Sequence, residues 1–239
     1  MLIGCESDTT TPGASNRPEQ VASYVAIYFE NEKRLVPEYH PLPEGEPERA
    51  LWDLLVAGPD DPALDSALSA AMELEQAAEP DEGRLLLEPS DAFWEASAPV
   101  RRRAAAQIVF TMGNLEEGRE VTLIDDLRPG RIEDADGNPV AQPLTRETFG
   151  PPLIQVSQPV AGAAVARTIP IDLSLSPRRP VAVSLETEEG TVATTVIRDG
   201  TGELAVNQAP PGTATVAMEL EPGLTVEVPV RLSPPRKGS

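Results

Sequence analysis

Between Pro99 and Asp126 the spacing of apolar positions changes once, and that change divides the stretch into two elements. Val100, Ala104, Ile108, Thr111, Met112 and Leu115 recur at helical spacing, which predicts an amphipathic helix with one face turned to a core. Gly113 is expected to end that helix in the left-handed conformation, and Gly118 to turn the chain. Glu120–Asp125 then reads as a strand with Val121 and Leu123 on one face. Upstream, the β-branched and aromatic run Val21–Glu30 predicts a strand, and Leu35–Tyr39 a second one after the charged turn Asn31-Glu32-Lys33-Arg34. Pro47 suits the first position of a helix running from Glu46 to about Ala57, with Ala50, Leu51, Leu54 and Leu55 inward and Gly58-Pro59 as its stop. Ala63–Ala71 reads as another short helix. Leu74–Ala78 and Arg84–Glu88 read as strands around Pro80-Asp81-Glu82-Gly83, and Asp136-Gly137 as a hairpin turn. The expected result is an α+β unit over residues 21–150, two main helices on one face of a mostly antiparallel sheet.

From Leu153 the period becomes that of short strands: L-I-Q-V, T-I-P-I-D-L-S-L, V-A-V-S-L-E, V-A-T-T-V-I, E-L-A-V, A-T-V-A-M-E-L and T-V-E-V-P-V-R-L. Prolines and glycines separate them. This spacing predicts an all-β, immunoglobulin-like sandwich over residues 152–233, followed by a tail at 234–239. All nine aromatic residues precede Gly150, so its core must be filled by Val, Ile, Leu and Ala, and only modest stability is expected of it in isolation.

Charge supports the same division. Of the net −20, residues 1–151 carry 30 acidic and 12 basic side chains (−18), and residues 152–239 carry 9 and 7 (−2). An acidic surface of this kind repels phosphate backbones, which argues against nucleic acid as a partner. Its plainest role is solubility; a sharper one is docking a basic partner.

The N-terminus changes the picture of where the protein sits. Leu2-Ile3-Gly4-Cys5 has the form of a bacterial lipobox, with Cys5 as the lipidated residue, and Glu6–Gln20 has the composition of a disordered tether. The basic and apolar regions of a signal peptide do not precede it, so a late start or a trimmed leader is expected. Acyl chains on Cys5 would hold the protein on the extracytoplasmic face of the cell membrane, at about 0.8 kcal/mol per buried methylene. Cys5 is the only cysteine, so no intramolecular disulfide forms.

Several blocks carry a family resemblance: V-A-I-Y-F-E with L-V-P-E-Y, E-R-A-L-W-D-L-L-V-A-G-P, L-S-A-A-M, G-R-L-L-L-E-P-S-D-A-F, A-A-Q-I-V-F-T-M and D-G-N-P-V. In this order and spacing they resemble the GerMN domain of sporulation and germination proteins and of LpqB-like lipoproteins, over roughly residues 22–149. Met72-Glu73 departs from the family's proline-and-glycine turn. The segment Ile154–Val165 is similar to the opening of the immunoglobulin-like domain that often follows GerMN. The resemblance implies a non-catalytic, membrane-anchored lipoprotein that binds or helps assemble an envelope complex, or self-associates, in sporulation, germination or envelope signalling. A cell-wall-binding module or an accessory envelope enzyme is the alternative.

Candidate chemistry is sparse. His40 is the only histidine, at a strand end before Pro41, and reads as a solvated loop residue with no triad around it. Zinc sites are normally built from several His and Cys, so no metal site or other cofactor is expected, nor a small-molecule substrate. Asp134-Ala135-Asp136-Gly137-Asn138 fails the calcium-loop pattern, since Pro139 and Thr145 stand where glycine and glutamate are needed, and a hairpin turn explains it. No catalytic residue is assigned. Arg101, Arg102 and Arg103 form the one dense basic spot in the acidic unit. They read either as a solvated helix turn or as a contact for an acidic partner or anionic lipid head groups.

Overall fold

The computed structural model describes residues 23–42, 44–116, 118–126, 128–206 and 209–234. Cys5, the tether and residues 235–239 lie outside the described residues, as do positions 21 and 22 of the first expected strand. The chain begins with a hairpin of β1 (Tyr24–Asn31) and β2 (Arg34–Pro41), followed by α1 (Pro47–Ala57). Next come β3 (Leu74–Asp81), β4 (Arg84–Pro89), α2 (Asp91–Glu95), α3 (Ala98–Met112), β5 (Glu120–Asp125), β6 (Arg128–Pro129) and α4 (Arg146–Phe149).

Strands of this unit divide between the β1–β2 hairpin and a sheet ordered β3-β4-β5-β6, antiparallel except for the parallel pair β4–β5. The parallel pair follows from α2 and α3, which form the crossover that returns the chain in the same direction. The helix α3 is buried more widely than one face: Ala104, Ala105, Gln107 and Ile108 through Met112 are all inside. It runs beside the outer edge of β1, where its polar side chains complete the strand's hydrogen bonding. The Tyr28 N–H donates to Thr111 Oγ1 at 3.0 Å, and Asn114 Nδ2 donates to the Ala26 carbonyl at 2.6 Å. Both faces of β1 are therefore covered. Ile27 and Phe29 enter the main core, while Tyr28 packs on Phe110 with ring centroids 5.2 Å apart.

Two local expectations are corrected. Gly113 is not left-handed but has φ −67° and ψ −2°. A side chain there would place its Cβ 3.0 Å from Arg146 Nε and from the Val109 carbonyl oxygen, so this glycine serves close approach. Arg146 then donates through Nη2 to the Phe110 carbonyl at 3.0 Å, a cation on the helix's last carbonyls. Residues 63–71 form turns, not a helix. Leu64, Ala67 and Leu68 are buried, but the backbone is claimed by other elements. Asp65 exchanges both backbone bonds with Glu30 at 2.8 and 2.9 Å, and the Ala67 N–H donates to Gln107 Oε1 at 2.8 Å.

The second unit is a β-sandwich, and each of the seven expected runs forms a strand. One sheet orders β11 (Gly190–Ile197), β10 (Val181–Thr187), β13 (Gly212–Glu221), β14 (Leu224–Leu232) and the two-residue β8 (Ala164–Val165). The other orders β12 (Thr201–Ala205), β9 (Thr168–Leu175) and β7 (Ile154–Gln158). Alternation fills the space between them: Ile169, Ile171 and Leu173 face a layer with Val183, Leu185, Val216, Met218 and Val226. The two units touch. The Leu153 N–H donates to the Leu35 carbonyl at 2.8 Å, Arg34 donates to the Ser176 carbonyl, and one buried apolar cluster is continuous across both.

Candidate functional site

The three arginines lie on the first turns of α3, after Ser97 and Pro99 have set its start, and they divide among three roles. All three are half-buried, so the solvated-turn picture does not hold. Arg101 Nη1 donates to the carbonyls of Trp94 and Ala96 at 2.8 and 2.6 Å, tying down the turn between α2 and α3. Arg103 Nε donates to Glu30 Oε2 at 2.7 Å, balancing a carboxylate whose side chain is only 7% exposed. Arg102 stands 6.0 Å from the centroid of Phe149 and makes no hydrogen bond or ion pair among the described residues.

Arg102 and Arg103 line a cavity of about 640 Å³ between the β1–β2 turn, α3 and the end of α4. Lys33 and Arg34 join them there from the hairpin turn, over a floor that includes Leu35, Ala106 and Phe149. Glu133, Asp134 and Asp136 stand on the remaining wall. Most of these acids are already occupied. Glu133 pairs with Arg131 at 2.8 Å, and Asp134 Oδ1 accepts the Asp136 and Asn138 N–H groups at 2.8 Å each. Those bonds, led by the one from Asn138, hold the Asp134 carboxyl below the usual carboxylate range and make the expected hairpin turn. Lys33, like Arg102, has no acceptor among the described residues. The cavity therefore offers two unpaired cations above an apolar and aromatic floor. That arrangement suits a carboxylate or phosphate group attached to an apolar body.

A second cluster was invisible in the sequence. His40 is not a loop residue: β2 runs through Pro41, and His40 pairs with Val25 in the hairpin. Its side chain is 15% exposed, and its Nε2 lies 2.8 Å from Glu38 Oε1. The turn that follows α1 covers this end of β2, and the Asp60 and Asp61 N–H groups donate to the two Glu38 oxygens at 3.1 and 3.4 Å. Burial pushes the Glu38 carboxyl up, but His40 and the two backbone N–H groups outweigh it and leave its pKa lowered. The Glu38 hydrogen bond raises the His40 pKa against the effect of burial.

Of the basic site, the sequence revealed only the arginine run. Lys33, Arg34 and Phe149 join it through tertiary contact, and no spacing rule links them. Lys33 carried one faint signal, as one of the two lysines in the chain and on a predicted turn.

No match was found among curated proteins. The Germane family model, described as "Sporulation and spore germination", matches residues 26–126. Among solved structures, the tandem GerMN domains of the sporulation protein GerM from Bacillus subtilis align at 16% identity over 77% of this chain and 61% of that one, with a TM-score of 0.44. The first GerMN domain of the same protein aligns at 16% identity over 53% of this chain and 98% of its own, with a TM-score of 0.41. The Arg-specific cysteine proteinase gingipain R aligns at 21% identity and a TM-score of 0.28 over 34% of this chain, which spans only 18% of the proteinase. Residues 26–126 are a Germane domain.

Proposed function

We propose that this protein is a non-catalytic, lipid-anchored component of the extracytoplasmic face that helps assemble an envelope complex in sporulation or germination. The family description of residues 26–126 supports the process, and the lipobox-like Leu2-Ile3-Gly4-Cys5 supports the anchor. The observation that carries the assembly role is the cavity at the base of α3. In a chain of net charge −20, Lys33 and Arg102 are held without acceptors over Leu35, Ala106 and Phe149. Unpaired cations beside apolar surface suit an acidic protein segment whose carboxylates pair with them while its apolar side chains cover the floor. The β-sandwich, read as an immunoglobulin-like module, sets the Germane domain apart from its neighbours in the complex.

The test replaces the native gene with a Lys33→Glu/Arg102→Glu form and follows membrane retention, cross-linked assemblies and sporulation efficiency. The expected result is a folded, membrane-retained protein missing from the assembly, with Arg128→Glu on the exposed β6 as a control that assembles normally. Unchanged assembly in the double variant would remove the cavity from the interface. A Cys5→Ala protein that stays in the membrane fraction would remove the lipid anchor.

A further inference from the structure

The hairpin pairing of β1 with β2 sets Glu38 and His40 two residues apart on one face, and the Gly58-Pro59 stop of α1 brings Asp60 against them. One nitrogen of His40 and one oxygen each of Glu38 and Asp60 all lie within 4.8 Å of one another. We propose that Glu38, His40 and Asp60 form a binding site for a divalent transition-metal ion of the zinc type.

Distance carries the argument. Imidazole nitrogen and carboxylate oxygen bind zinc at about 2.0–2.2 Å, so two ligands on one ion stand about 3.0–3.5 Å apart. The His40 Nε2 and Glu38 Oε1 atoms, 2.8 Å apart, need to separate by only a few tenths of an ångström for an ion to take the place of the proton between them. Glu38 is also preoriented: the Asp60 and Asp61 N–H groups fix its carboxylate and draw the Asp60 loop onto it. One imidazole with two carboxylates favours a borderline ion over calcium or magnesium, which prefer an all-oxygen shell. Three protein ligands leave at least one coordination position open. Glu38 and Asp60 also line a cavity of about 470 Å³ whose other wall is Thr215, Thr225 and Glu227 of the sandwich, so an ion here sits where the two units face each other.

The site can be tested on the full chain without a histidine tag, first stripped with a chelator and then titrated with zinc chloride by calorimetry. One saturable site is expected, with the ring-nitrogen resonances of the chain's single histidine shifting in step with occupancy. His40→Gln and Asp60→Asn should each weaken binding at least tenfold, while Asp134→Asn, at the other acidic turn, should not. Asp60 is exposed, so its variant keeps the test valid should His40→Gln disturb the fold. No saturable zinc binding, or binding of equal strength in both variants, would overturn the site and leave Glu38–His40 as a hydrogen-bonded pair alone.

Discussion

At the scale of single residues, the Glu38–His40 pair sets a pH dependence whose sign follows from the two shifts. His40 has its pKa raised in the fold, so its contribution is fully present below the unfolded value of about 6.5 and is lost as pH rises through the folded value. Glu38 has its pKa lowered, so its contribution is present above the ordinary glutamate range and is lost as pH falls through its folded value. The Asp60 carboxylate faces the same pair and favours the charged imidazole, while the Asp61 N–H favours the charged Glu38. In metal-free protein the pair stabilises most between the ordinary glutamate range and about pH 6.5. Thermal melts of the native chain minus those of His40→Gln, taken in chelator from pH 4 to 9, should show a difference that peaks in that window and shrinks on both sides. A second residue-scale constraint lies at Gly130, where an added Cβ would stand 2.0 Å from Trp94 Cη2. Gly130→Ala has to displace a ring packed edge-on against buried Phe93, and a loss of about 1–3 kcal/mol by urea unfolding is expected.

At the scale of elements, α3 acts as the missing neighbour strand of β1. Thr111 and Asn114 pair with the strand's outward backbone groups, and Asp65 pairs with Glu30 further along. On the other side of the hairpin, Pro37 has no N–H to offer and the Leu35 carbonyl is already taken by Leu153. Neither edge of the hairpin invites another chain's strand, so under the proposed assembly role side chains such as Lys33 and Arg102, not strand pairing, would make the contact. Thr111→Val keeps the shape of the helix but leaves the Tyr28 N–H buried without an acceptor, which should cost about 1–3 kcal/mol by urea unfolding. Ile108→Asp buries an unpaired charge at a fully enclosed position and should unfold the Germane domain outright, read as loss of near-ultraviolet circular dichroism. The helix itself was legible in its spacing, as were the seven runs of the sandwich, because each buries a periodic set of apolar residues. What spacing could not convey was the second buried flank of α3: polar Gln107 is inside because the backbone of Asp65 and Ala67 needs its amide, while Thr111, already on the expected face, turns its hydroxyl to the edge of β1. Residues 63–71 misled for the same reason: their apolar pattern suits a helix, but their backbone bonds go to β1 and Gln107. The arginine run was visible, yet its division into a structural Arg101, a paired Arg103 and an open Arg102 depends on contacts from other segments.

At the scale of the whole molecule, the question is whether the two units unfold separately. The sandwich core is filled by aliphatic side chains without a single ring, and the residue before its first strand is joined to the Germane domain through the Leu153–Leu35 hydrogen bond. Arg34 reaches the Ser176 carbonyl from the other side of the junction, and the apolar cluster runs on without a break. A shared core of this kind makes each unit part of the other's stability. The aromatic distribution supplies a clean readout, because Trp52 and Trp94 both lie in the first unit and none lies in the second. Trp52 is fully buried with its Nε1 donating to the Met72 carbonyl at 2.7 Å, so its fluorescence reports the Germane domain alone. Far-ultraviolet circular dichroism, dominated here by strands, reports the sandwich as well. In the full chain the two signals should change together along a urea titration. A fragment of residues 152–239 should unfold at a lower urea concentration than the same strands do in the full chain, since it loses the Leu35 contact and exposes Leu153. Separate transitions in the full chain, with the fragment as stable as the intact protein, would instead make the junction a hinge between independent units.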